Sequence, residues 1–212
     1  MRIKICGITQ AEQGRKIAEL GATALGFICV QQSPRFVTPE QIHTLIQHLP
    51  LNLAVDRIGV FVNASLEEIT ETVKTCGLNG VQLHGDELPE FCDRLRLLLP
   101  QIEIIKAFRV RSIATLTQVA NYKGHVDAVL LDAYHPTYPG GTGTTLNWQD
   151  LQRYIPTQPW FLSGGLTPDN LSDALKAVQP SGIDLSSGVE RSPGDKDLAK
   201  VSALFQQLQR LQ

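Results

Sequence analysis

No stretch of this sequence stays apolar for the ~20 residues that a membrane-spanning helix needs, so no membrane helix is expected. The chain opens straight into a strand pattern, with none of the apolar core of a secretory signal. Charge of one sign is missing as well. The net charge is −2 and no basic or acidic block occurs, so neither nucleic acid nor an anionic membrane is expected as a partner. Paired cysteines are absent: Cys6, Cys29, Cys76 and Cys92 stand far apart with no Cys-x-x-Cys. That argues against a zinc site or a redox pair, fits a reducing compartment, and makes the cytoplasm the expected location. His-x-His, His-Glu-x-x-His and carboxylate clusters are also lacking, so no metal is implied. No Gly-x-Gly-x-x-Gly follows the first strand and no Gly-x-x-x-x-Gly-Lys-[Ser/Thr] occurs, which removes the usual dinucleotide and nucleotide cradles. No Pro/Gly/Ser-rich linker or low-complexity tract divides the chain, and residues 1–212 read as one domain.

What is present is an alternation of strand and helix patterns. Arg2 to Ile8 has period two, with Ile3 and Ile5 on one face and Lys4 and Cys6 on the other. Thr9-Gln10-Ala11-Glu12 has capping-box spacing and predicts a helix from Gln10 to Leu20. Further strands are predicted at 24–30, 57–62, 80–84, 102–108, 127–132, 159–163 and 182–186. Helices are predicted to start at Thr38-Pro39, at a second capping box Ser65-Leu66-Glu67-Glu68, near Leu88, at Ser112, at Asn147, at Thr167-Pro168 and at Asp195. Eight strand–helix units with short connections in one domain predict an α/β fold of the (β/α)8 barrel kind, at the small end of its ~200 to >400 residue range. The segment 133–146 stands out, with two prolines, Gly140-Gly141-Thr142-Gly143 and no periodicity; a loop of that length is usually functional.

Barrels carry chemistry at the C-terminal ends of their strands. Cys6 and Asp132 sit at such ends and form a candidate base and acid. A thiol near pKa ~8.5 is lowered by a nearby cation, and Lys4, on the same face, is expected to be that cation. Partial burial of Asp132 would keep its proton near neutrality. Gly141-Thr142-Gly143, Gly164-Gly165 and Ser187-Gly188 follow successive strands. Glycine turns at the last loops of a barrel are suited to a phosphate. Among the polar groups expected to face inward, Gln82 and His84 share a face, as do Asp184 and Ser186, and Lys106 lies between the apolar Ile105 and Ala107. Lys4 and Asp184 are either a structural ion pair or part of the site. Arg35, in the loop after the second strand, is either solvated or an anchor for a carboxylate or phosphate. His43, His48 and His125 read as surface or turn residues.

These motifs resemble phosphoribosylanthranilate isomerases. The likeness lies in Lys4-Ile5-Cys6-Gly7-Ile8-Thr9, Leu25-Gly26-Phe27-Ile28 with Ser33-Pro34-Arg35, Val60-Phe61-Val62-Asn63 and Val81-Gln82-Leu83-His84-Gly85-Asp86-Glu87. It continues in Leu130-Leu131-Asp132 with Gly140-Gly141-Thr142-Gly143, in Ser163-Gly164-Gly165-Leu166 with Pro168-Asp169-Asn170, and in Asp184 to Glu190 with Gly194-Asp195-Lys196-Asp197. The resemblance implies a (β/α)8 barrel of tryptophan biosynthesis that rearranges a phosphorylated aminosugar without metal or organic cofactor. It implies Cys6 as general base, Asp132 as general acid and Arg35 on the anthranilate carboxylate. Gly141, Thr142, Gly143, Gly164, Gly165, Ser187 and Gly188 would hold the phosphate, and His84 and Asp184 would line the pocket. Cys29-Val30 departs from the aromatic residues expected there, and Tyr134 to Pro139 has the look of an inserted lid.

Two competing classes leave marks that differ. A metal-dependent epimerase would need inward His and Asp ligands, and a two-carboxylate aminoaldose isomerase would place an aspartate at position 6. A non-catalytic phosphosugar-binding barrel would keep the glycine turns without needing both Cys6 and Asp132. A monomer is expected, since no exposed apolar stripe stands out.

Overall fold

Short β-branched and aliphatic runs bounded by glycines or caps form the strands, and the capped amphipathic segments between them form the helices. The structure is a computed structural model that describes residues 1–50, 52–110, 113–133, 148–151 and 156–211. In chain order its elements are β1 (Arg2–Cys6), α1 (Ala11–Glu19), β2 (Ala24–Ile28), α2 (Pro39–Gln47), β3 (Asp56–Phe61), α3 (Leu66–Cys76), β4 (Gly80–Leu83) and α4 (Pro89–Leu98). They continue with β5 (Glu103–Val110), α5 (Ile113–Val119), β6 (Ala128–Ala133), α6 (Trp148–Leu151), β7 (Trp160–Ser163), α7 (Leu171–Ala177) and β8 (Gly182–Leu185). Last come β9 (Glu190–Ser192), β10 (Asp195–Lys196) and α8 (Leu198–Arg210). Strands β1 to β8 pair in parallel, each with the next, and β1 pairs with β8 to close the barrel. The expected (β/α)8 fold is therefore the observed one.

Two cores follow from the period-two alternation. Ile5, Leu25, Phe27, Val81, Leu83, Leu131 and Ile183 face outward and pack under the helices. Ala24, Ile58, Ile105, Ala107, Ala128, Leu130 and Phe161 face inward and fill the barrel. Arg2 stoppers the lower end: its Nη2 donates to Asp56 Oδ2 at 2.7 Å and to Glu103 Oε2 at 2.8 Å, and its guanidinium lies 5.0 Å from the Phe161 ring centroid. The polar residues of β1, β4, β6 and β8 then occupy the layer above the apolar plug.

Several local expectations are corrected. Thr9 does not cap α1; its hydroxyl donates to Gly194 O at 2.5 Å, and Gln10 takes the cap position without a side-chain bond. Ser65 accepts from Glu68 N, half of the expected box, whereas Thr38 and Gln41 form a complete one. Asp195 does not start the last helix. It belongs to the antiparallel hairpin β9–β10, and Asp197 caps α8 instead. Lys106 does not face the barrel interior, because its neighbours Ile105 and Ala107 do. It reaches up to Gly85 O at 2.6 Å and Glu87 Oε2 at 3.1 Å, which ties β5 to the loop after β4.

Candidate active site

The upper layer of the barrel opens into a pocket of about 270 Å³ at the C-terminal strand ends. Cys6 comes from β1, Ile28 from β2, Val60 from β3, Asp132 from β6, Ser163 from β7 and Asp184 from β8, with Gln82 and His84 at and just past the end of β4. Each is the inward residue at its strand's upper end, so the alternation that builds the core also selects the site. Arg35, Gly164, Gly165, Ser187 and Gly188 close the rim. Of the expected site residues, Cys6, Asp132, Arg35, His84, Asp184, Gly164, Gly165, Ser187 and Gly188 are thus brought together. Gly141, Thr142 and Gly143, and the lid from Tyr134 to Pro139, lie outside the described residues. Cys29 and Val30 do not line this pocket; they line a separate groove of about 590 Å³ next to α2 and α3.

Charge in the pocket is arranged in pairs. Lys4 Nζ donates to Asp184 Oδ1 at 2.9 Å, and both side chains are buried. Burial works against the Lys4 ammonium, but Asp184 and Cys6 overcome it, so this lysine holds its proton more tightly than usual. Cys6 is packed against β2, where Gly26 lies opposite it. A methyl group on Gly26 would come within 2.6 Å of Cys6 Sγ and 3.1 Å of Lys4 Nζ, so only glycine leaves room for the thiol. The expected lowering of the Cys6 thiol is not observed. Burial pushes it above its ordinary value, Lys4 and Lys196 pull it down, and Asp184 pushes it up again.

Asp132 behaves as expected of an acid. Burial and then the Asp184 charge push its carboxyl up to about 6, against the pull of Arg109. His84 Nε2 stands 3.8 Å from Asp132 Oδ2, too far for a direct hydrogen bond. Burial, then Arg109, Lys4 and Lys106, lower the His84 imidazole to about 4, so it is neutral beside Asp132 at ordinary pH. Gln82 Nε2 lies 3.0 Å from His84 Nδ1 and orients the ring.

Three charged residues around the site were given no role by the sequence reading. Arg109, beside Asp132 in the β5–β6 register, lies one step beyond the strand end taken at Phe108; the inward run Ile105-x-Ala107-x-Arg109 is its signal. Glu190 and Lys196 sit in the hairpin taken as loop and helix start, where Pro193-Gly194 was the available turn signal. Among the described residues, no group of three or more His, Cys, Asp or Glu side chains is placed to hold a metal ion. Likewise, no helix is long and apolar enough to cross a membrane.

A closed parallel barrel with a polar, partly buried pocket at the carboxyl ends of its strands defines a (β/α)8-barrel enzyme. The family model for N-(5'phosphoribosyl)anthranilate (PRA) isomerase matches residues 3–207, and the chain belongs to that family. The N-(5'-phosphoribosyl)anthranilate isomerase of Trichormus variabilis is 61% identical over 208 residues, 98% of each chain. The crystal structure of phosphoribosyl anthranilate isomerase from Thermotoga maritima is 36% identical, with a TM-score of 0.88 and 99% of each chain covered. A further solved isomerase, in complex with reduced 1-(o-carboxyphenylamino)-1-deoxyribulose 5-phosphate, is 33% identical, with a TM-score of 0.85 and 99% of each chain covered.

Proposed function

We propose that this chain catalyses the Amadori rearrangement of N-(5'-phosphoribosyl)anthranilate to 1-(2-carboxyphenylamino)-1-deoxyribulose 5-phosphate, the isomerase step of tryptophan biosynthesis, with Cys6 as base and Asp132 as acid. The observation that carries the residue assignment is the placement of Cys6 and Asp132 at the upper ends of β1 and β6 in one pocket, where burial raises the Asp132 carboxyl to about 6. Asp132 gives its proton to the furanose ring oxygen. The C1–O bond breaks as the anilino nitrogen lone pair forms C1=N⁺, which opens the sugar to a Schiff base. The Cys6 thiolate takes the C2 proton, the C–H electron pair forms C1=C2, and the nitrogen recovers its lone pair. The resulting enolamine becomes the ketone when its C2 hydroxyl loses a proton and C1 gains one. The substrate gains one proton from Asp132 and loses one to Cys6, and proton exchange with solvent returns the thiol to thiolate and the carboxylate to acid before the next turnover.

The remaining roles follow the chemistry of each group. Arg35 binds the anthranilate carboxylate. Gly164-Gly165 and Ser187-Gly188, with Gly141 to Gly143, receive the phosphate through backbone N–H groups. His84 and Asp184 border the sugar. The chain is taken to work as a monomer in the cytoplasm.

A turnover assay tests this reading. The substrate is generated in situ with EDTA present, and decay of its anthranilate fluorescence is followed above the spontaneous rate. Wild-type protein should accelerate decay, and Cys6→Ala or Asp132→Asn should each lose roughly 10²–10⁴-fold in kcat. Wild-type turnover in either variant would remove that residue from its role.

A further inference from the structure

We infer that Glu190 and Lys196 are positioning residues that join the base to the carboxylate anchor, Lys196 by fixing the strand end that carries Cys6 and Glu190 by fixing the guanidinium of Arg35. The inference rests on the roles just given to Cys6 and Arg35. It starts from the Cys6 carbonyl. This last carbonyl of β1 takes its donors from side chains: Lys196 Nζ at 2.5 Å and Ser186 Oγ at 3.0 Å. Lys196 is fully buried, and its other short bond is to Glu190 Oε1 at 2.7 Å. Glu190 in turn grips Arg35 by two edges, with Nε to Oε1 at 2.9 Å and Nη2 to Oε2 at 2.6 Å. The Arg35 stem lies over Gly7, where a Cβ would come within 2.6 Å of Arg35 Cδ. Arg35, Glu190, Lys196 and the Cys6 carbonyl thus form one closed circuit around the residue that follows the base.

Glu190 Oε1 also accepts from Gly194 N at 3.2 Å, yet the hairpin has further holds outside this circuit. Thr9 already bonds Gly194 O at 2.5 Å, and Gln13 already bonds both Asp195 Oδ1 at 2.7 Å and the Lys196 N–H at 2.8 Å. Lys200 Nζ holds Glu190 O at 2.8 Å. Burying two further charges there costs desolvation that neutral packing would avoid. The buried pair instead delivers something those bonds do not, a fixed guanidinium on the rim and a cation beside the thiol. The groups that face Cys6 are Lys4 on its own strand, Asp184 from β8 and Lys196 from the hairpin. Burial and Asp184 oppose the thiolate, and Lys4 and Lys196 favour it.

The test compares Glu190→Gln, Lys196→Met and the double variant, each as the full chain. With Arg35 released, Glu190→Gln should raise KM about tenfold, the scale of one hydrogen bond to a charged group, with kcat within about twofold. Lys196→Met should lower kcat about tenfold with little change in KM. It should also move the pH midpoint of iodoacetamide alkylation upward, read on the Cys6 peptide by mass spectrometry. The double variant removes both buried charges together, so it should regain stability yet keep both kinetic defects. If the pair only pins the fold, the single variants lose Tm, Cys6 alkylates faster from a loosened rim, and the double variant recovers wild-type kinetics. That pattern would overturn the inference. Cys6→Ala in the same assay reads the base assignment separately. An unshifted midpoint in Lys196→Met overturns the positioning role even where Cys6→Ala confirms the base.

Discussion

Asp132 and Cys6 hold their protons in the reverse of the order their roles require. The acid releases its proton at about 6, and the base keeps its own to above the ordinary thiol value. The competent form, thiolate with protonated carboxyl, is therefore a minority at every pH. Between the two values, each unit of pH gains tenfold in thiolate and loses tenfold in carboxylic acid, so their product is flat. Below about 6 the acid is already full and only the thiolate falls. The expected kcat/KM profile is a plateau that begins near pH 6 and drops on the acid side. In Asp132→Asn the compensating loss is gone, and residual activity should rise with pH across the former plateau. A flat profile in that variant would contradict the assignment. The chemistry of these two residues was only partly legible in the sequence. Their types and strand-end positions were visible, and so was the raised carboxyl. The thiol was read the wrong way because a cation two residues away is local information, whereas complete burial and the Asp184 charge come from the closed barrel.

The elements differ in how openly the sequence announces them. Proline at N1 and the Thr38–Gln41 box mark α2 unambiguously, and period two marks the strands. Thr9-x-x-Glu12 has the same spacing as a box yet caps nothing, because the Thr9 hydroxyl is taken by a carbonyl 185 residues away. The start of α8 was misplaced for a related reason. Asp195 and Asp197 both look like caps, and only the hairpin decides between them. Asp197 Oδ1 accepts from Ala199 N at 3.0 Å and Lys200 N at 3.3 Å. Asp197→Ala should cost about 1 kcal/mol in denaturant unfolding, the usual value of such a cap. Asp195→Ala should not show a cap's loss of helix stability. An equal loss of helical signal in both would restore the earlier start.

At the scale of the molecule, the barrel is closed by a charged seam. Lys4 and Asp184 face each other in the β1–β8 register, both buried in the interior. Lys4→Met should cost about 3–5 kcal/mol, because it leaves Asp184 buried without its partner. Lys4→Met with Asp184→Leu should recover most of that loss while remaining inactive. If the two single losses simply add in urea titrations, the pair is not coupled. The fold class was legible because eight similar units repeat one pattern. The pairing of first strand with last has no local pattern of its own; it came with the barrel reading, which also put Lys4 opposite Asp184 as a candidate ion pair.

That seam also sets an order in time. The Lys4–Asp184 bond joins residues 180 apart, and the bond from Lys196 to the Cys6 carbonyl joins residues 190 apart. Contacts of such separation form late, after the intervening loop has been closed. Synthesis runs from the amino end, so Lys4 and Cys6 leave the ribosome well before Asp184, Glu190 and Lys196 exist to receive them. The face that carries the chemistry begins with the first residues made and is completed by the last, so a nascent chain stays catalytically silent until its final strands arrive.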